Sequence, residues 1–186
     1  MTARVATAVD QTRQFSIALW IFAAGMLAWT IANAVLGGWV NVVTDLVIIV
    51  GAGMAAVGMP RAVDGIGLGP LRGGLWVMAL AQFGQNLVTV TTGLSGTNAA
   101  PAFTVMLASV AMAVGAQRWS QDGWDGAAVP WLAAGFAGFA FEPVYYLVLQ
   151  FVQGNPFGPF FPGAVLVALG AGLAAWACWA ARREAA

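Results

Sequence analysis

Met59-Pro60-Arg61-Ala62-Val63-Asp64-Gly65-Ile66-Gly67-Leu68-Gly69-Pro70-Leu71-Arg72 joins two apolar stretches and holds two arginines. The next connection, Leu94-Ser95-Gly96-Thr97-Asn98, holds no charge of either sign. The same alternation runs through the whole chain. Apolar stretches are read at 16–37, 40–58, 74–93, 99–117, 127–152 and 163–181. Arg4 and Arg13 precede the first, Arg118 follows the fourth, and Arg182 and Arg183 follow the sixth. Gly37-Gly38, 94–98 and 153–162, the connections between these positive ones, are uncharged. Positive charge stays in the cytoplasm during insertion. The chain is therefore expected to be an all-α integral membrane protein of six transmembrane helices, arranged as three consecutive hairpins with both termini cytoplasmic.

Composition agrees with this reading. Of 186 residues, 61% are apolar and 8% charged, against about 25% charged in an ordinary soluble domain. Each stretch is near the ~20 residues that cross about 30 Å of hydrocarbon. Six spans use up most of the chain, so residues 1–186 are read as one membrane domain, with 1–14 a cytoplasmic lead and 182–186 a cytoplasmic tail. The N-terminus also imitates a secretory signal, with Arg4 and Arg13 before an apolar run from Phe15 and an Ala32-Asn33-Ala34 triplet of cleavage type. We read this segment as the first membrane helix.

Several chemistries lack their residues. The net charge is zero and the basic residues form no patch beyond Arg182-Arg183, so nucleic acid is not an expected partner. Histidine is absent and Cys178 is the only cysteine, which removes the usual haem and metal ligands and any intrachain disulfide. Lysine is absent too, so there is neither a phosphate-binding lysine loop nor a retinal Schiff base. No cofactor, metal site or catalytic activity is expected.

A repeat is visible across the hairpins. Trp20, Trp76 and Trp131 each open one, and Arg61, Arg118 and Arg182 each close one, at spacings of 41, 42 and 51 residues. Three true copies would surround one axis along the membrane normal, although interfacial preference alone also places tryptophan and arginine at such ends.

The polar residues inside the stretches are the candidate site. Gln82, Gln85, Asn86 and Thr89 lie at i, i+3, i+4 and i+7, one face of a helix. Asn41, Thr44 and Asp45 form a one-turn stripe in the second stretch, and Asn33 lies in the first. Glu142, followed by Pro143, Tyr145 and Tyr146, lies deep in the fifth. A buried charge at mid-bilayer costs about 2.5–3.5 kcal/mol on insertion scales, so such residues face the bundle interior or water. Amide stripes also serve as interhelical glue, and Asp45 is as readily an interfacial acid. Ala24, Ala28 and Ala32, and Gly51, Ala55 and Met59, are spaced by four and read as packing seams. The connection 153–162, with three prolines and Phe157, Phe160 and Phe161, reads as an interfacial anchor or a lid, and 117–125 as an interfacial loop holding Trp119 and Trp124.

In its three-hairpin layout the chain resembles the small HdeD-type membrane proteins associated with acid stress. With Ala24, Ala28 and Ala32 on its first helix it also resembles the substrate-binding S component of energy-coupling-factor vitamin transporters. That second likeness implies small residues against a transport partner and a ligand in the outer half. Neither likeness brings a sequence motif with it. The expected function is handling of a small solute or ion through an outward-facing polar cavity in the inner (plasma) membrane, as a channel, carrier or binding subunit. The cavity would be lined by Asn33, Asp45, Gln82, Gln85, Asn86, Glu142, Tyr145 and Tyr146. The rival is a non-catalytic accessory or assembly subunit with a dry core, docked on other membrane subunits or on its own copies.

Overall fold

The computed structural model describes residues 2–62, 67–91, 99–122, 128–154 and 157–185, with side chains described over 12–119 and 128–181 within those segments. The connection 94–98, the Asp64, Trp124 and Asp125 positions, Asn155-Pro156 and the side chains of Arg4, Asp122, Arg182 and Arg183 lie outside the described residues.

Among the described residues the regular structure is entirely helical: α1 Thr2–Val35, α2 Trp39–Ala62, α3 Leu68–Thr91, α4 Ala99–Asp122, α5 Ala128–Val152 and α6 Phe161–Ala185. Five of them are long and apolar enough to cross a membrane. The exception is α3, whose 24 residues suffice in length but whose Gln82, Gln85, Asn86 and Thr89 lower its apolarity. The polarity of the bundle is inverted relative to a soluble protein. Asp45, Asn33, Gln82 and Asn86 are buried, whereas Leu80, Leu107, Val148 and Trp176 are exposed. That is the pattern of a multi-pass membrane protein, whose outer surface has lipid for solvent.

Among the described residues the backbones of helices adjacent in the chain lie closest, and α1 closes the circle on α6. Such a ring is what three hairpins around one axis require. The three tryptophans nevertheless differ in setting: Trp20 and Trp131 are exposed, while Trp76 is partly buried against the core. We call the end carrying Arg13, Arg61, Arg72 and Arg118 the arginine end. In that half the ring is filled by aromatic and sulfur side chains, with Phe15 edge-on to Phe136 at 5.3 Å and Met59, Met78 and Met112 fully buried.

Close helix approach depends on glycine. A Cβ at Gly25 of α1 would lie 2.5 Å from the Val167 nitrogen of α6, and one at Gly51 of α2 would lie 2.8 Å from the Gly74 carbonyl of α3. Gly51, Ala55 and Met59 are buried as expected. The alanine seam on α1 is not: Ala24 is exposed, Ala28 is partly so, and Ala32 is buried. The residue that meets α6 is Gly25, one position away and so rotated about 100° around the helix.

Two expected loops are partly helical. Residues 117–122 continue α4, and Trp119 is buried in the core rather than interfacial, because it closes the arginine end of the packing above Ala116. Phe161 and Pro162 form the first turn of α6, a position that tolerates a missing N–H.

Pro60 lies inside the last turn of α2, where it cannot donate to the Ala56 carbonyl four residues earlier. Ser16 of α1 donates its Oγ hydroxyl to that carbonyl at 2.7 Å, in a buried setting. Ser16→Ala should therefore lower stability by about 1 kcal/mol, by orphaning a buried acceptor. Pairing it with Pro60→Ala, which restores the helical donor, should recover most of that loss in detergent thermal melts. An uncoupled pair of losses would contradict the assignment.

Candidate functional site

The site begins with the turn between α1 and α2. Gly37 has φ +81°, a left-handed conformation open to glycine. The Gly38 amide donates to the Asn33 carbonyl at 2.8 Å and the Gly37 amide to the Ala34 carbonyl at 3.2 Å, the paired bonds of a Schellman cap. This cap fixes the backbone of Asn33, whose Nδ2 then donates to Asp45 Oδ2 at 2.8 Å across the hairpin. Asp45 is wholly buried, so it is not a solvated interfacial acid. Its second oxygen, Oδ1, faces Gln85 Nε2 of α3 at 3.5 Å, the long limit of hydrogen bonding.

The α3 stripe divides into two roles. Gln85 reaches across to α2, as interhelical glue would. Asn86 instead donates its Nδ2 to the Gln82 carbonyl of its own helix at 2.9 Å. That bond stays within α3 and does not join helices.

Opposite these groups, α5 presents Glu142, Tyr146 and Gln150 at i, i+4 and i+8, one helical face. Glu142 has no hydrogen-bond partner among the described protein residues. Pro143 leaves the Phe139 carbonyl without its helical donor, and both residues line the same small chamber.

Two adjoining cavities lie between these faces. The inner one, about 50 Å³, is floored by Phe22, Met26 and Phe139, with Asp45, Gln82, Gln85 and Glu142 as its polar wall. It has room for water or a bare ion. A wider vestibule of about 330 Å³ lies toward the end remote from the arginines, at the lower end of the ~300–1,000 Å³ typical of small-molecule pockets. Asn33, Asn41, Asn86, Thr89, Tyr146 and Gln150 contribute polar atoms to it, and Phe160 and Trp29 contribute rings. Trp29, Gln85 and Glu142 border both cavities and so stand at their junction. No arginine lines either one.

The structure thus brings together Asn33, Asp45, Gln82, Gln85, Asn86, Glu142 and Tyr146. Tyr145 is not in the lining; its ring packs on Phe141 at 6.1 Å and on Tyr146 at 5.8 Å. Sequence reasoning missed Trp29, Gln150 and the role of Phe160. Gln150 could have been found as the third member of the Glu142–Tyr146 face. Trp29 falls with Phe22, Met26 and Asn33 on one face of α1, a pattern that looks like ordinary core until the cavity is seen. The connection 157–160 splits its aromatics: Phe157 is exposed and meets Phe161 at 5.1 Å, whereas Phe160 turns inward to 5.1 Å from Trp29. The connection thus contributes Phe160 to the cavity wall and leaves Phe157 on the outside.

Compared with models of known protein families, with curated proteins and with solved structures, the chain matches none.

Proposed function

We propose that this is a six-span plasma-membrane protein that captures or moves a small solute or ion through a cavity open to the exterior, without chemically transforming it. The observation that supports this is the vestibule of about 330 Å³, continuous in its lining with a polar inner chamber. Every arginine-bearing connection is assigned to the cytoplasm, so the vestibule opens on the opposite side. In this reading α3 spans as well, since its amide face is turned to the cavity and its Leu80 and Leu87 to lipid. Asp45, held by Asn33, shapes the site; Glu142, which has no hydrogen-bond partner among the described residues, serves the solute. The close-packed, aromatic arginine half forms the closed end, so passage requires Phe15, Phe22, Phe136 and Phe139 to separate. An accessory subunit with no passage of its own has no use for such a cavity.

Thermal unfolding of the purified protein against a panel of small cations, neutral polyols and anions tests this. At least one solute should raise the midpoint, and Thr89→Trp, which fills the vestibule, should abolish the rise while the protein still folds. A panel without any stabilising solute, or stabilisation unaffected by Thr89→Trp, would remove the cavity from the function.

A further inference from the structure

Between them, the two cavities are bordered by two carboxyl side chains and no basic one. Asp45 is already committed, with Asn33 on one oxygen and Gln85 near the other. Glu142 stands at the junction with no hydrogen bond from the described residues, and borders both spaces. A second acceptor is equally unspent: Gln150 Oε1, in the vestibule wall, is buried and has no hydrogen-bond partner among the described residues. A ligand suited to these groups carries positive charge at one end and a donor at the other.

The ring walls add a second, independent selection. Trp29 meets Tyr146 at 6.3 Å and Phe160 at 5.1 Å, and all three line the vestibule. Aromatic faces attract a cation placed within about 6 Å of their centroids, with tryptophan the strongest, and quaternary ammonium groups are well suited to such walls. A bare metal ion gains less here. It would need several oxygen ligands at about 2–2.6 Å, and among the described residues no three Asp, Glu, His or Cys side chains converge. The vestibule is also far larger than an ion requires.

We infer that the solute is a compact organic cation, an ammonium compound whose charged head lies between Glu142 and the Trp29–Tyr146–Phe160 rings and whose polar tail reaches Gln150. This rests on the reading of the cavity as a solute site and names the class of solute that enters it. Glu142 supplies the charge, the rings supply the preference for a soft alkylated ammonium over a hydrated inorganic cation, and Gln150 accepts from a hydroxyl or N–H.

The test is calorimetric titration of the full-length protein in lipid nanodiscs with four probes: choline, tetramethylammonium, the neutral carbon isostere of choline with a tert-butyl group in place of trimethylammonium, and propionate. Choline and tetramethylammonium should bind, the isostere measurably but about tenfold more weakly, and propionate not at all. Glu142→Gln should weaken choline by about tenfold and leave the isostere unchanged, which also shows that the variant is folded. Trp29→Leu should weaken both cations. If the isostere binds as well as choline, or Glu142→Gln leaves choline unaffected, the cation inference fails while the solute cavity stands. Failure of both cations to bind overturns the inference too. If the wider solute panel is also silent, the cavity reading falls with it.

Discussion

Gly74→Ala should leave little folded protein, although it adds one methyl group to a chain rich in alanine. The added Cβ would meet the Gly51 carbonyl and lie 2.5 Å from the Ala55 nitrogen of α2. Both are backbone atoms inside a helix, so no rotamer change relieves the clash and the two helices must separate. Overpacking a core typically costs about 1–3 kcal/mol, and a clash against backbone belongs at or above the top of that range. The same substitution at Gly84, also within α3, meets nothing within 4 Å. There it should be neutral or stabilise by up to about 1 kcal/mol, because alanine is the better helix former. Denaturation in mixed micelles compares the two directly. Equal effects would mean that the α2–α3 seam is not set by glycine contact.

A second large effect is expected at Asp45, and its contrast with Glu142 separates scaffold from site. Asp45→Leu removes the acceptor of Asn33 Nδ2 in a buried setting. It should cost about 2–3 kcal/mol, mainly through the unsatisfied amide left behind. Asp45→Asn keeps an oxygen for Asn33 and should cost under about 1 kcal/mol. Glu142→Leu strands no protein donor among the described residues, so it should leave stability unchanged or raise it, while removing solute binding. Unfolding midpoints and binding affinities of the three variants check this. A Glu142→Leu protein as unstable as Asp45→Leu would place Glu142 in the scaffold and not in the site.

How much of this was legible in the sequence depends on which physical signal each part leaves. The helices were readable because apolar runs near membrane length have few other uses, and all six expected stretches fall on α1 to α6 apart from a few terminal residues. Their ends were less readable. Helical backbone continues past the apolar run wherever the polar residues that follow still favour it, as at 117–122. Most of the candidate site was visible for a related reason: Asn33, Asp45, the α3 stripe and Glu142 are polar where polarity is costly, so they had to converge. The aromatic lining was not visible, since Trp29 and Phe160 cost nothing in a membrane interior and their direction depends on how α1 meets α6. That approach rests on Gly25 together with Gly163 and Gly170 of α6, and the sequence offered the alanines beside Gly25 as an equally plausible seam. Tyr145 and Tyr146 are adjacent in sequence, and only helical phase, which Glu142 and Gln150 share with Tyr146, tells them apart.

In the proposed function, water reaches the middle of the bundle from the side remote from the arginines. Thiolate chemistry measures this directly, since a thiol in lipid or dry core does not ionise and does not react. The native Cys178 is buried and can be replaced by serine to give a clean background. Gln85→Cys borders both cavities, and Leu80→Cys, on the same helix, replaces an exposed side chain that faces lipid in this account. With a charged, impermeant methanethiosulfonate reagent applied to oriented membranes, Gln85→Cys should be modified from outside only, Arg72→Cys from inside only, and Leu80→Cys from neither. An unreactive Gln85→Cys, or one modified only from the side that modifies Arg72→Cys, would contradict the account.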